Sequence, residues 1–348
     1  MRKFKINNRL IGDATPAYII AEVGLSHLGS LELAHSFIDS ASESGADAVK
    51  FQMHIAEEES TLDEKFRVKI SSQFKNRFDY WEKTAFSEES WIELIKHCKK
   101  KKITFLCTPF SVKAANILHK FDVSAFKIGS GELTFFPLLN FLKKTKKPIL
   151  LSTGMSNYLE ISNSFKYLNK TNPLALFQCT SLYPTPSEKI GLNVIDILKK
   201  KFKVPVGLSD HTGGYFASIA AIALGANIIE VHLCFDKRIV GPDSSSSITF
   251  KNLKDLCQAR DILNILSNNP VNKDKIALEL KRYRKLFSRS FAPISKIKKG
   301  TIIQKNLICL KKPGSGIKKE ELKSILGKKV KKNLYPNKLI KLSDLENE

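Results

Sequence analysis

The chain has 348 residues, with 57 Lys and Arg against 34 Asp and Glu, for a net charge of +23. At 43% hydrophobic it can bury a substantial core without staples, and its length predicts one large domain plus a small one. Its longest apolar stretches, such as 148–151 and 219–224, are far too short to span a membrane. The basic segment 1–10 leads into no apolar run of signal-peptide type.

Six cysteines (Cys98, Cys107, Cys179, Cys234, Cys257, Cys309) show no CxxC spacing, so they read as reduced core residues of a cytoplasmic protein. Lysines cluster at 99–102, 143–147, 199–201 and 328–332. The first three runs follow amphipathic segments, where cations suit helix C-termini, so no nucleic-acid partner is implied. A positive field does favour an anionic substrate.

From residue 17 to 233, short apolar runs alternate with amphipathic stretches. Strands are predicted at 17–24, 48–52, 103–110, 125–132, 148–154, 174–180, 204–211 and 228–233. Helices are predicted at 31–44, 88–100, 112–119, 137–144 and 216–224, with Ser87 as one helix start. Eight such repeats fit a closed (β/α)8 TIM barrel, although a doubly wound open sheet shares the alternation. The insert 54–86 is long for a β-α connection and carries Phe66, Arg67, Phe74, Arg77, Tyr80 and Trp81, as lids and binding loops do.

A helix at 250–266 and a polar break at 267–269 close the barrel domain, giving boundaries of 1–267 for the barrel and 268–287 for a basic linker helix. From 288 to 348 the texture becomes turn-rich. The stretch 297–303 resembles 334–340, each followed by a similar pair, Asn306-Leu307 and Asp344-Leu345, which suggests a compact module of about 60 residues.

What ends each predicted strand is informative. The series is Glu22; Lys50 and Gln52; Thr108; Lys127, Ser130 and Glu132; Ser152 and Thr153; Gln178 and Thr180; Ser209, Asp210 and His211; Glu230 and His232. Barrel active sites lie at the strands' C-terminal ends. Lys50 and Lys127 suit one anionic group, phosphate or carboxylate, or else a Lys–Glu pair closing the barrel mouth. The run 127–132 offers a hydroxyl and flexible backbone as a phosphate cradle. His211 and His232, on neighbouring strands, suit a divalent metal with open positions or an acid–base role. Glu22 and Glu132 are candidate proton-transfer carboxylates, unless they only pair with Lys50 or Lys127.

At these residues the chain resembles the sialic acid synthase family, which includes the legionaminic and pseudaminic acid synthases. The matching stretches are IIAEVG at 19–24, VKFQ at 49–52, TPFS at 108–111, FKIGSGE at 126–132, LSTGM at 151–155, YPTP at 183–186, GLSDHT at 207–212 and GPD at 241–243. Residues 288–348, from Arg289-Ser290 to KPGSG at 312–316, look like that family's small, β-rich, antifreeze-like (SAF) capping domain.

The resemblance implies a condensation of phosphoenolpyruvate with the open-chain aldehyde of N-acetylmannosamine or a related amino sugar, dependent on Mn2+ or Mg2+. Lys50, Thr108, Lys127, Ser130, Ser152 and Ser209 would then hold phosphoenolpyruvate. His211 and His232 would hold the metal, Gln52, Tyr183 and Asp243 would contact the sugar, and Glu22 and Glu132 would manage water and protons. The cap would cover the partner's barrel in a domain-swapped homodimer. Four departures stand out: Ser26, Ser181 and Ser244 replace residues common in the family, and Lys312 stands where an arginine usually anchors the sugar. Heptulosonate- or octulosonate-phosphate synthases lack such a C-terminal domain, and a carbohydrate- or ice-binding module needs no such array of ionisable groups.

Overall fold

The computed structural model describes residues 3–66, 74–239 and 241–346. It divides into two compact units, Met1–Asn269 and Pro270–Glu348.

The first unit begins with an antiparallel hairpin, β1 (Phe4–Ile6) and β2 (Arg9–Ile11). Eight longer-range strands follow: β3 (Tyr18–Gly24), β4 (Ala48–Met53), β5 (Thr104–Pro109), β6 (Phe126–Ile128), β7 (Ile149–Ser152), β8 (Leu174–Cys179), β9 (Val206–Asp210) and β10 (Ile228–Leu233). Each pairs in parallel with the next, and β10 pairs with both β9 and β3. The sheet therefore closes into a (β/α)8 barrel, which excludes the open doubly wound alternative. A short strand, β11 (Ser247–Ile248), adds beside β10.

Helices lie where the amphipathic stretches predict them, and the end signals hold. The Ser87 side chain accepts from the Ser90 amide at the start of helix Glu88–Lys100. Lys99 and Lys100, Lys143 and Lys144, and Lys199 to Lys201 fall in the last turns of three helices, where they oppose the negative end of the helix dipole.

Strand alternation explains both the core and the site. Side chains two apart on a strand share a face. Tyr18 and Ile20, Ala48, Leu106, Ala125, Leu150, Ala175 and Phe177, and Ile228 point into the barrel, where they pack with Phe4, Ile6 and Ile11 of the hairpin. Their neighbours, such as Ile19, Val49, Cys107, Leu151 and Ile229, pack outward under the helices. The inner layer has no spare room at β9. A Cβ on Gly207 would lie 2.6 Å from the Ile228 carbonyl and 2.9 Å from the Phe177 ring.

One step further along each strand, the inward positions become Glu22, Lys50, Thr108, Lys127, Ser152, Cys179, Ser209 and Glu230. The polar layer thus sits directly on the apolar plug.

β6 is shorter than the sequence suggests. It stops at Ile128, and the chain turns there, with the Glu132 amide donating to the Gly129 carbonyl at 3.2 Å. Ser130 and Glu132 therefore project from a turn beyond the strand. β8 likewise ends at Cys179 and β9 at Asp210, leaving Thr180 and His211 just past the ladder.

In the second unit, the basic stretch before residue 288 forms two short helices, Lys273–Glu279 and Lys281–Phe287. Beyond it, β12 (Ser290–Pro293) pairs with β13 (Ile308–Lys311) around a core that includes Phe291, Ile303, Ile325, Val330 and Ile340. The internal likeness has a structural counterpart. Ile297 and Leu334, the first residues of the two similar stretches, pair with each other in an antiparallel bridge. Each stretch is followed by a 3-10 turn, at Lys305–Leu307 and Leu342–Asp344. Among the described residues, no helix is long and apolar enough to cross a membrane.

Candidate active site

A cavity of about 490 Å³ opens at the C-terminal ends of the barrel strands. Glu22, Lys50, Gln52, Thr108, Lys127, Ser130, Glu132, Ser152, Tyr183, Ser209, His211, His232 and Asp243 all line it. Lys312, expected from the resemblance to contact the sugar, belongs to the second unit, and the strand-end residues Thr153, Gln178, Thr180 and Asp210 are not among those lining the cavity. Of the family departures, Ser181 lines the cavity, whereas Ser26 and Ser244 do not appear among the lining residues.

The floor is a network of buried charges. Lys50 Nζ lies 2.7 Å from Glu22 Oε2 and donates to Thr108 Oγ1 at 3.0 Å. Lys127 Nζ donates to Ser152 Oγ at 2.5 Å and lies 3.6 Å from Glu230 Oε1. Glu230 joins the two lysines: Lys50 Nζ lies 3.9 Å from its Oε2, and Ser209 Oγ donates to its Oε1 at 3.2 Å.

Burial alone would discharge all these groups. It raises the Glu230 carboxyl, but Lys127 and Lys50 outweigh it and hold the group down to about 2. Burial likewise works against the Lys50 charge, and Glu22 and Glu230 more than restore it, leaving its pKa above the ordinary lysine value. Lys50 is thus held as a cation, and both lysine side chains are buried, where a charge-assisted contact is at its strongest.

Opposite them stand the histidines, with ring centroids 5.4 Å apart. His211 Nδ1 lies 3.0 Å from the Thr180 carbonyl, so that nitrogen carries the proton and donates, and Nε2 keeps its lone pair. Tyr183 stacks on His211 at 4.1 Å. Burial and the neighbouring His232 lower the His211 pKa to about 4, so its ring is neutral at pH 7, the form that ligates a metal.

Among the described residues, buried His232 Nδ1 has no hydrogen-bond partner, and Asp243 Oδ2 lies 3.8 Å away. Among the described residues, no group of three or more His, Cys, Asp and Glu forms a metal cage. The donor set suits a cation held by two imidazoles with the remaining positions left to water and substrate.

Glu132 is the third chemical element. Burial lifts its carboxyl to about 7, so it exchanges a proton readily near neutrality. Gly129 makes room for it, because a Cβ there would come within 2.4 Å of Glu132 Oε2.

Other strand-end polar residues serve the scaffold. Thr153 Oγ1 donates to the Phe177 carbonyl, Gln178 Nε2 to the Ile190 carbonyl and Thr180 Oγ1 to the Lys189 carbonyl, while Asp210 accepts from Ser218 Oγ and the Thr212 amide. Ser130 is shared, since its hydroxyl accepts from the Gly154 amide at 3.0 Å and lies 3.2 Å from Cys179 Sγ.

The insert supplies a wall that strand ends do not announce. His54, Glu59, Glu64, Phe66, Arg77, Tyr80 and Trp81 all line the cavity. Arg67, noted in the sequence, lies outside the described residues. The composition of the insert marked the region, but His54, Glu59 and Glu64 were not distinguishable within it.

Removing a lysine tests the anion floor. Lys50→Met and Lys127→Met each keep the apolar stem and lose one charge-assisted contact worth about 1.5–3 kcal/mol. If the two lysines hold phosphoenolpyruvate, as the resemblance implies, each substitution should weaken its binding about ten- to a hundredfold by calorimetry. Unchanged dissociation constants in both variants would refute the assignment.

Two buried lysines, an imidazole pair and a carboxyl titrating near 7, at the open end of a β/α barrel, define an enzyme that handles an anionic small molecule. The NeuB family model matches residues 37–269 and the SAF domain model residues 288–346, and the chain belongs to the NeuB family. It is 37% identical over 331 residues to the N,N'-diacetyllegionaminic acid synthase of Campylobacter jejuni, covering 93% of this chain and 98% of that one. It is 32% identical over 333 residues to a pseudaminic acid synthase of the same species, covering 94% and 96%. The solved N-acetylneuraminic acid (sialic acid) synthetase of Leptospira borgpetersenii, in complex with citrate, superposes with a TM-score of 0.72 at 30% identity over 81% of this chain and 96% of that one.

Proposed function

We propose that this protein is a cytoplasmic nonulosonic acid synthase. It joins phosphoenolpyruvate to the open-chain aldehyde of N-acetylmannosamine or a related N-acetyl amino sugar, giving a nine-carbon sugar acid and inorganic phosphate. The observation that carries this reading is the pair of buried lysines, Lys50 and Lys127, each with a hydroxyl partner, lining one cavity with the paired imidazoles of His211 and His232.

In this reading Lys50, Lys127, Thr108, Ser130, Ser152 and Ser209 hold the phosphate and carboxylate of phosphoenolpyruvate. Gln52, Tyr183 and Asp243 orient the sugar. His211 and His232 would hold Mn2+ or Mg2+, which when bound supplies Lewis-acid polarisation of the aldehyde. The C3 carbon of phosphoenolpyruvate forms the new bond to the aldehyde carbon, whose oxygen takes up a proton. Water adds at C2, losing a proton to a carboxylate, and the tetrahedral centre collapses to the ketone by breaking the C–O bond to phosphate. Glu132 and Glu22 are the proton-handling groups. Glu22 stands against Lys50, and Glu132 has the pKa that general acid–base work requires.

The fixed cations meet negative charge as it shifts onto the departing phosphate, without reorganising. Legionaminate- and pseudaminate-type acceptors use the same chemistry, and the identity to the legionaminic acid synthase places a diacetamido sugar in the test panel. We further propose that residues 288–348 cap the barrel of a partner subunit and present Lys312 to the sugar. Lys311 is tied down, its Nζ donating to the Pro336 carbonyl at 2.6 Å, whereas Lys312 is exposed with its Nζ 5.6 Å from the Phe287 ring.

Phosphate release from phosphoenolpyruvate in the presence of Mn2+ and a panel of N-acetyl amino sugars tests this reading. Release should require both substrates, and the preferred sugar should raise it far above the phosphoenolpyruvate-only control. Release that ignores every sugar would count against it.

A further inference from the structure

One line of hydrogen bonds runs from the insert to the catalytic floor. Glu59 Oε1 lies 2.6 Å from His54 Nδ1, and His54 Nε2 lies 3.2 Å from Gln52 Oε1. Gln52 Nε2 donates to Glu22 Oε1 at 2.8 Å, and Glu22 Oε2 meets Lys50 Nζ at 2.7 Å. His54 cannot rotate out of this line. Its ring is stacked between Trp81, at 3.8 Å and 4°, and Phe110, at 4.1 Å and 17°.

The polarity of the line can be worked out from its fixed end. Glu22 accepts at both oxygens, from Lys50 Nζ at Oε2 and from the Gln52 NH2 at Oε1. Gln52 Oε1 then faces His54 and needs a donor, so His54 Nε2 carries a proton. The contact between His54 Nδ1 and Glu59 also needs a proton, and one suffices. Either Glu59 is a neutral acid donating to a bare Nδ1, or the pair is imidazolium and carboxylate.

If that single proton is lost, Glu59 is a carboxylate and neutral His54 places its remaining hydrogen on Nδ1. Its bare Nε2 then faces Gln52 Oε1, acceptor against acceptor. Flipping the amide only moves the conflict to Glu22.

We propose that His54 and Glu59 act as a one-proton positioning pair that fixes the amide of Gln52 toward the sugar acceptor, and that losing this proton weakens acceptor binding selectively. The kinetic part rests on the reading of Gln52 as a sugar contact.

The surroundings favour the neutral pair. Burial and Glu64 raise the Glu59 carboxyl to about 8, and Arg77 only partly offsets them. Burial and the Arg77 cation lower His54 to about 3, against the opposite pull of Glu64, Glu22 and Asp243. Arg77 is itself held by Glu64 at 2.9 Å, and Glu64 also accepts from Ser60. Two further titratable neighbours face the pair: Glu132 feels Glu59 as a like charge, and buried His27 feels His54.

The expected pH effect follows from the fraction of protein with the correct amide orientation, since apparent affinity falls with that fraction. One pH unit above the transition, about one molecule in eleven remains competent. The acceptor KM should therefore rise about tenfold between pH 7 and pH 9, with the phosphoenolpyruvate KM changing far less. In Glu59→Gln, the new amide donates to His54 Nδ1 at every pH and locks the Nε2–H tautomer. Its ratio of acceptor KM at pH 9 to that at pH 7 should fall close to one.

Nitrogen-15 NMR of histidine-labelled protein, with Mg2+ in place of paramagnetic Mn2+, reads the tautomer without reference to turnover. His54 is assigned by the signal lost in His54→Asn. The wild type should show a protonated Nε2 at pH 7 and a switch near pH 8, absent in Glu59→Gln. A bare Nε2 at pH 7, or a switch that persists in Glu59→Gln, would overturn the proposal. If Gln52→Ala leaves the acceptor KM unchanged, the reading of Gln52 as a sugar contact falls, and the NMR result alone decides the relay.

Discussion

His211→Ala is expected to reduce turnover by about three orders of magnitude or more while leaving a folded protein. A metal-held polarisation worth several kcal/mol would be lost, and about 1.4 kcal/mol corresponds to each factor of ten. The structural cost is smaller. The ring donates one hydrogen bond, to the Thr180 carbonyl, and stacks on Tyr183 outside the apolar core clusters, so the stability change should be about 1 kcal/mol. Thermal unfolding followed alongside turnover separates the two effects. Chelator treatment of the unaltered protein should mimic the substitution, and Mn2+ or Mg2+ should restore activity. Full activity in metal-free protein would remove both histidines from the role of ligands.

The second large effect concerns the C-terminal module. Deleting 288–348 should leave the barrel, whose core clusters draw on residues 4–257, and remove at least 99% of synthase activity. On the proposed capping role, water exclusion and the Lys312 cation would both be lost. If caps are exchanged between subunits, Glu132→Ala mixed with Lys312→Glu should recover activity in mixed dimers. One barrel in such a dimer is intact and receives the intact cap. Random exchange at equal concentrations yields about a quarter of the wild-type sites. No recovery after demonstrated subunit exchange would favour a cap acting on its own barrel.

The charged floor of the cavity was legible because strands impose period two. Once Ile20, Ala48, Leu106, Leu150 and Ile228 are recognised as inward-facing, Glu22, Lys50, Thr108, Ser152 and Glu230 must follow them into the barrel mouth. The same rule does not say which polar strand ends remain available. Thr153, Gln178 and Thr180 bond to backbone carbonyls, and Asp210 accepts from Ser218 and Thr212, contacts set by loop paths that the alternation does not encode.

The turn at Gly129 shortened β6 and moved Glu132 off the ladder, a consequence of glycine permitting the close approach of that carboxyl. The His54–Glu59 pair was hidden for another reason. Its two residues become significant only because Trp81 and Phe110, from distant parts of the chain, close on the imidazole and exclude water. Lys312 stands out by its place before Pro313, with Lys311 as the neighbouring alternative, and the hydrogen bond from Lys311 to the Pro336 carbonyl was not legible in the sequence.

Mass spectrometry of a single reaction tests the central claim most directly. Purified protein, Mn2+, an N-acetyl amino sugar and phosphoenolpyruvate carrying oxygen-18 in the C–O–P bridge are incubated together, and both products are weighed. The account predicts a sugar acid heavier than the acceptor by the three-carbon unit, with the label in inorganic phosphate and a ketone oxygen drawn from water. Label retained in the sugar product, or acceptors recovered unchanged while phosphate accumulates, would contradict it.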